Sequence, residues 1–379
     1  MSGMKGKGPI RGLRRQVIGA GIAALALGVT LPVLAQDVQI GMSSRNFQAG
    51  IANMWIGIPL GLYGPLNAET VGTQGATENL QLMLAGRLTM STGTQDVVLN
   101  AMAEGRQMPA VAPCVYLDGL IQRLTVLPDS TAQSYNDLTG KKVGVPALAS
   151  GDVQVLNFLL THAGIDPQTV DVIAVGDKQQ AAAALQSGAV DALVLTDTGL
   201  SDLQAAGVKM RELPVPDAVK DVAVGYTFAF ERGWYDGHKD AAAQMLQGMI
   251  KAIIVATENP EAAARISFHM HPEALPASVS LDQAVKDAVR SLSVRAPLIT
   301  RDRSKGEKWC DFSPDQWATY VDMLGLKGKV DPMKFYTNEL VDKINDFDED
   351  ALRAWARSLV VPDDAAEYDK WIAGLKAPA

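Results

Sequence analysis

The sequence predicts an α/β protein of two similar lobes, and three observations carry that prediction. The first is a set of short apolar β-branched runs between Asp137 and Thr196: Asp137 to Val145, Asp171 to Val175 and Ser187 to Leu195. Each pair is separated by a helical stretch and opened by Gly or Asp, the pattern of a βαβαβ unit with a parallel sheet. The second is the same alternation earlier in the chain, where Val38–Met42, Ala68–Gly72 and Thr89–Gly93 read as strands. Helical stretches follow at 47–63, 77–86 and 96–105, with Leu80, Met83 and Leu84 on one face of the second and Val97, Val98 and Met102 on one face of the third. The third is length: 379 residues, 47% hydrophobic, exceed what a single core usually fills, roughly 250 to 300 residues.

Residues 110–127, rich in Val, Tyr, Leu and Ile, are expected to carry the chain to the second lobe, and residues 210–230 to bring it back. Pro214 and Pro216 mark turns on that return. The expected division is residues 1–35 as a leader, 36–127 with 222–379 as lobe 1, and 128–221 as lobe 2. Two crossings make a hinge, the mechanical requirement for closing over a ligand. Beyond Lys239 the reading is mostly helical, at 241–257, 260–269, 281–292, 314–324, 337–346 and 349–359. This extension is expected to pack back on lobe 1.

The leader holds Lys5, Lys7, Arg11, Arg14 and Arg15 and no acid, followed by apolar Val17 to Ala35 and a Val33-Leu34-Ala35 ending. That is the layout of a cleaved secretory signal, with processing expected before Gln36. Arg14-Arg15 fits a twin-arginine signal, and ordinary Sec export fits as well. Of the 34 basic residues, removal of the leader's five leaves 29 against 42 acidic ones, a formal −13. Such a balance disfavours nucleic acid as a partner. Cys114 and Cys310 are the only thiols, and an exported chain permits but does not require their pairing.

The ligand in lobes of this kind meets strand carboxyl ends and the helix N-termini just beyond them. That rule selects Ser43, Ser44 and Arg45, then Thr77, then Thr94 and Gln95, then Ser150 and Gly151, then Thr196 and Asp197. Hydroxyl and Gly positions suit neutral hydrogen bonding, although the same residues serve as helix caps without any ligand. Trp55, Tyr63, Tyr116 and Tyr226 are candidate aromatic walls. Arg45, in the first such loop, could pair bidentately with an anion. His269-Met270-His271 beside Glu273 would converge on a metal only from a strand, and this segment reads as a helix end. No catalytic constellation stands out, and neither a metal nor a cofactor is expected.

The phrases Asp137-Leu138-Thr139-Gly140-Lys141-Lys142-Val143-Gly144-Val145 and Ser187-Gly188-Ala189-Val190-Asp191-Ala192-Leu193-Val194-Leu195 resemble the solute-binding proteins of ABC transporters, in the nitrate, sulfonate, taurine and thiamine-precursor group. Leu84 to Gly93 is similar to a further phrase of that group, with Thr89 where an acid is usual. The resemblance spans about residues 37 to 345. It implies a type II periplasmic binding protein fold with a helical C-terminal extension, and a monomer that closes over a small anion or pyrimidine-like solute and docks on a permease and ATPase. It also implies solute contacts at Thr94, Ser150 and Thr196. A thiamine-pyrimidine synthase-like enzyme on the same fold, or a periplasmic sensor subunit, are the alternatives.

Overall fold

The computed structural model describes residues 36–148, 151–176, 178–216 and 225–378. The leader with its cleavage site, Ser150, and part of the expected return segment lie outside the described residues. The order of elements follows the sequence reading closely. In the first half it runs β1 (Asp37–Met42), β2 (Asn67–Gly72), α1 (Ala76–Leu84), β3 (Met90–Thr92), α2 (Gln95–Ala103) and β4 (Ala110–Leu117). Then come β5 (Gln122–Val126), β6 (Lys142–Val145), α3 (Gly151–His162), β7 (Asp171–Ala174), α4 (Lys178–Gln186), β8 (Ala192–Thr196), α5 (Asp197–Ala205) and β9 (Arg211–Glu212). The chain returns through β10 (Tyr226–Glu231) to α6 (Arg232–Gly237), α7 (Lys239–Glu258), α8 (Pro260–Met270), α9 (Leu281–Ile299) and α10 (Pro314–Met323). The chain ends in α11 (Val341–Ile344), α12 (Glu349–Ser358) and α13 (Ala365–Gly374).

Two five-stranded sheets result, in the orders β2-β1-β3-β10-β4 and β7-β6-β8-β5-β9. Each is built alike. β1 runs parallel to β2 and β3, and β6 parallel to β7 and β8, so both lobes have a parallel trio. The fourth strand of each sheet is antiparallel and comes from a crossing: β10 on β3, and β5 on β8. This corrects the expected division, because residues 122–126 belong to the second sheet rather than to the first lobe. Composition could not decide the matter: β4 is an apolar run buried along its whole length and β5 mixes Gln122, Arg123 and Thr125 with Leu124 and Val126, but neither pattern names the sheet a strand joins.

Residues 47–63, expected as a helix, form instead a 3-10 segment over Ala49–Met54 followed by turns. Gly61 and Gly64 take positive φ values of 68° and 58° there, and Pro59 lacks the N–H that a continuing helix needs. α9 extends seven residues past its expected end at Leu292, with Pro297 inside its last turns. The stretch expected as a helix over 337–346 is helical only at Val341–Ile344, and α6 and α13 were not foreseen. The helical extension packs on lobe 1, α7 and α8 burying Ile250, Ile253, Ile254 and Ile266 in the same core as Val38, Ile40 and Phe228. A disulfide joins Cys114 on β4 to Cys310 ahead of α10, tying the extension to the first sheet across 196 residues.

Candidate functional site

A cavity of about 380 Å³ lies where the two sheets meet, and both lobes line it. The first lobe contributes Ser43 and Ser44 after β1, Thr92 and Gly93 after β3, Tyr116 near the end of β4, and Tyr226 at the start of β10. Thr196, Thr198 and Gly199 enter from the second lobe at the β8–α5 junction, and Arg295 and Ile299 from α9. Strand carboxyl ends converge here for the reason that governs open parallel sheets: the loops leaving neighbouring strands part to opposite faces and leave a crevice. A smaller chamber of about 200 Å³ adjoins it, sharing Ser43, Gly93, Ile121 and Tyr226 and adding Gln95, Asp96, Gln122, Asp152 and Tyr320.

Local chemistry fixes the walls. Asn79 on α1 donates through Nδ2 to the carbonyls of Gly41 and Thr92 and to Ser43 Oγ, at 3.0–3.1 Å, knitting the ends of β1 and β3 together. Ser43 Oγ in turn donates to the Thr92 carbonyl at 2.6 Å. Gly93 turns the chain with φ of 65°, a conformation that a side chain would strain. Thr196 caps α5 by accepting from the Gly199 N–H at 3.1 Å. Tyr116 stacks on Phe228 at 4.1 Å between ring centres. Burial pushes the Tyr116 hydroxyl well up and that of Tyr226 to about 12, so both stay protonated donors.

Charge in the cavity is balanced internally. Asp197, fully buried at the first turn of α5, accepts from Arg295 Nε at 2.8 Å, from Arg295 Nη2, and from the Thr198 N–H at 2.7 Å. Burial works against the Arg295 cation, and the hydrogen bond and charge of Asp197 more than offset that, raising its pKa. One turn earlier on α9, Ser291 Oγ donates to Asp202 Oδ1 at 2.8 Å. α9, which also packs on α8, is therefore stitched to α5 of the second lobe at two points. In the smaller chamber burial raises the Asp96 carboxyl, the Val97 N–H opposes that, and Asp152 adds to it. Gln122 Nε2 donates to Asp152 Oδ1 at 3.1 Å.

Of the residues selected at strand ends, Ser43, Ser44 and Thr196 meet around one cavity, joined by the candidate aromatic walls Tyr116 and Tyr226. Gln95 lines only the smaller chamber, and its amide is engaged: it donates to the Gly225 carbonyl at 2.7 Å and to Tyr320 Oη at 3.1 Å. Asp197 faces Arg295 rather than open space. Thr94 is buried outside both chambers, its Oγ1 3.1 Å from Ser91 Oγ, and Thr77 is exposed at the surface. Trp55 belongs to the core, where its Nε1 donates to Ser267 Oγ at 3.1 Å. Tyr63 does too, with its hydroxyl on Met249 Sδ at 2.6 Å. Arg45 is 59% exposed, 3.9 Å from Glu78, and lines a separate surface groove instead of the cavity. Gly151 opens α3, and Ser150 lies outside the described residues.

Three groups escaped the sequence reading: Arg295, Asn79 and Asn53. Arg295 had a usable signal, since Ala284, Ala288, Ser291, Arg295 and Ile299 form one buried stripe at helical spacing. A charge on such a stripe needs a partner, and Asp197 is it. The two histidines weighed for a metal are engaged elsewhere, His269 Nε2 with the Pro362 carbonyl at 2.7 Å and His271 Nδ1 with Glu273 at 3.1 Å.

Comparison with known proteins agrees with this architecture. No curated protein sequence matches the chain. Among solved structures, a Bordetella bronchiseptica RB50 protein is 22% identical with a TM-score of 0.60, covering 82% of this chain and 96% of its own. The periplasmic aliphatic sulphonate binding protein SsuA of Escherichia coli is 17% identical with a TM-score of 0.60, over 77% of this chain and 86% of that one. The periplasmic nitrate-binding protein NrtA of Synechocystis PCC 6803 is 14% identical with a TM-score of 0.54, over 86% and 99%. At these identities the likeness shows a shared two-lobed periplasmic binding protein fold. The family model described as NMT1/THI5 like matches residues 66–263, which run from β2 through both crossings into α8, and the chain belongs to that family.

Proposed function

We propose that this chain is the solute-binding component of an ABC importer, exported to the periplasm, which captures a small molecule between its lobes without transforming it. The observation that supports this most directly is the shared cavity: its walls come from both sheets, so a solute held there completes its contacts only when the lobes are together. The two antiparallel strands β5 and β10 follow the two crossings, and hinge closure would require bending there. Similar folds in the sulphonate-binding and nitrate-binding proteins support the same reading. The basic, then apolar leader supports export, and the Cys114–Cys310 disulfide suits an oxidising compartment. Among the described residues no helix is long and apolar enough to cross a membrane.

The test is compaction. Small-angle scattering of the processed chain should show a smaller radius of gyration when a saturating solute is present. The melting midpoint should rise too, by the equivalent of about 2.7 kcal/mol at a hundredfold excess over the dissociation constant. An unchanged radius at demonstrated saturation refutes closure, and recovery of an unprocessed chain refutes export.

A further inference from the structure

We propose that the interlobe cavity takes an uncharged solute presenting adjacent hydrogen-bond donor and acceptor atoms, an amide, lactam or ureide edge, to the Asn53 carboxamide. This rests on the solute-receptor reading and narrows its ligand. Asn53 sits in the 3-10 segment, only 4% exposed, and lines the cavity among Ile51, Met54 and Met42. Its side chain has no hydrogen-bond partner among the described residues. That carboxamide faces the cavity, and a solute that bears both complementary partners replaces water at this edge with direct hydrogen bonds. One N–H and one C=O side by side match a group bearing the complementary pair.

The electrostatics disfavour the opposite class. Helix N-termini make anion sites because their unpaired N–H groups carry partial positive charge. Three helices, α2, α3 and α5, open at this cleft, and each carries its own acid in the first turn: Asp96, Asp152 and Asp197. The cation lining the main cavity, Arg295, is already bound by Asp197. A sulfonate, nitrate or carboxylate entering here would bring negative charge to a site whose positive groups are answered, with Asp96 and Asp152 in the next chamber. Arg45, the candidate anion partner in the sequence, stands on the outer surface.

Benzamide and δ-valerolactam, set against benzoate, benzenesulfonate and benzylammonium at one common concentration, test this by melting midpoint. The amides should raise the midpoint of the parent and lose that effect in Asn53→Leu. Without added solute the Asn53→Leu chain should melt no lower than the parent, because it gives up no hydrogen bond. No rise with either amide, a rise with a charged probe alone, or a lower midpoint for unliganded Asn53→Leu each overturns the proposal. Scattering on the same samples separates the two levels: compaction with an anion alone keeps the receptor and discards the uncharged solute, while amide binding without compaction does the reverse.

Discussion

Replacing Asp197 by Asn should be among the costliest single changes at the cleft, although the two side chains are nearly the same shape. The carboxylate has no exposed surface and Arg295 is 8% exposed, so water cannot compensate the guanidinium once its counter-charge is gone. The Nε–Oδ2 bond of 2.8 Å, the Nη2–Oδ1 contact and the Thr198 N–H bond all lose their ionic component together. Removing one member of a buried pair typically costs about 3–5 kcal/mol. Removing both is different: Asp197→Leu with Arg295→Met leaves no orphaned charge and should unfold within about 1 kcal/mol of the parent. Urea titration of the parent, Asp197→Leu alone, Arg295→Met alone and the double variant closes a thermodynamic cycle, with a coupling energy of several kcal/mol expected. A cost below about 1 kcal/mol for Asp197→Asn, the range of exposed pairs, would refute the buried pair. So would a double variant as unstable as the two singles added.

Substituting Ala for Cys114 and Cys310 together should lower stability by about 5 kcal/mol in the chain-entropy account of a 196-residue loop, read by urea titration and reproduced by reductant in the parent. Trp55→Phe should lower the melting midpoint through a lost hydrogen bond worth about 1 kcal/mol and some lost packing, while solute affinity stays unchanged, because Trp55 touches Ser267 and not the cavity. Burial lifts Asp118, at the first crossing, from 3.8 to about 6 against the pull of Arg301. The folded chain therefore holds this proton more tightly than the unfolded one, and its contribution to stability, full below 3.8, fades as pH climbs through about 6. Asp118→Asn should flatten that part of the pH–stability profile relative to the parent.

What sequence could reveal here depends on how far apart the determining groups lie along the chain. The repeated strand–helix alternation is local, and it placed β1, β2, β3 and β7 within about a residue at either end, while the runs read for β6 and β8 began about five residues early. The strand-end rule is local as well, and Ser43, Ser44 and Thr196, which it selects, line one cavity. It could not say which of those groups are already engaged. Asp197 stands where the rule expects a ligand contact, yet its charge is taken by a residue 98 positions later, on a helix whose last turns were not anticipated. Asn53 was hidden for another reason: residues 47–63 read as a helix, whereas Asn53 sits in a short 3-10 segment followed by turns through Gly57, Pro59, Gly61 and Gly64. The sheet assignment of β5 failed because strand pairing is decided by partners, here β8 and β9, that composition does not name. Charge at a binding site is a property of pairs, and a count of acids and bases along this chain could not have distinguished a cleft that welcomes anions from one that has already answered its own cations.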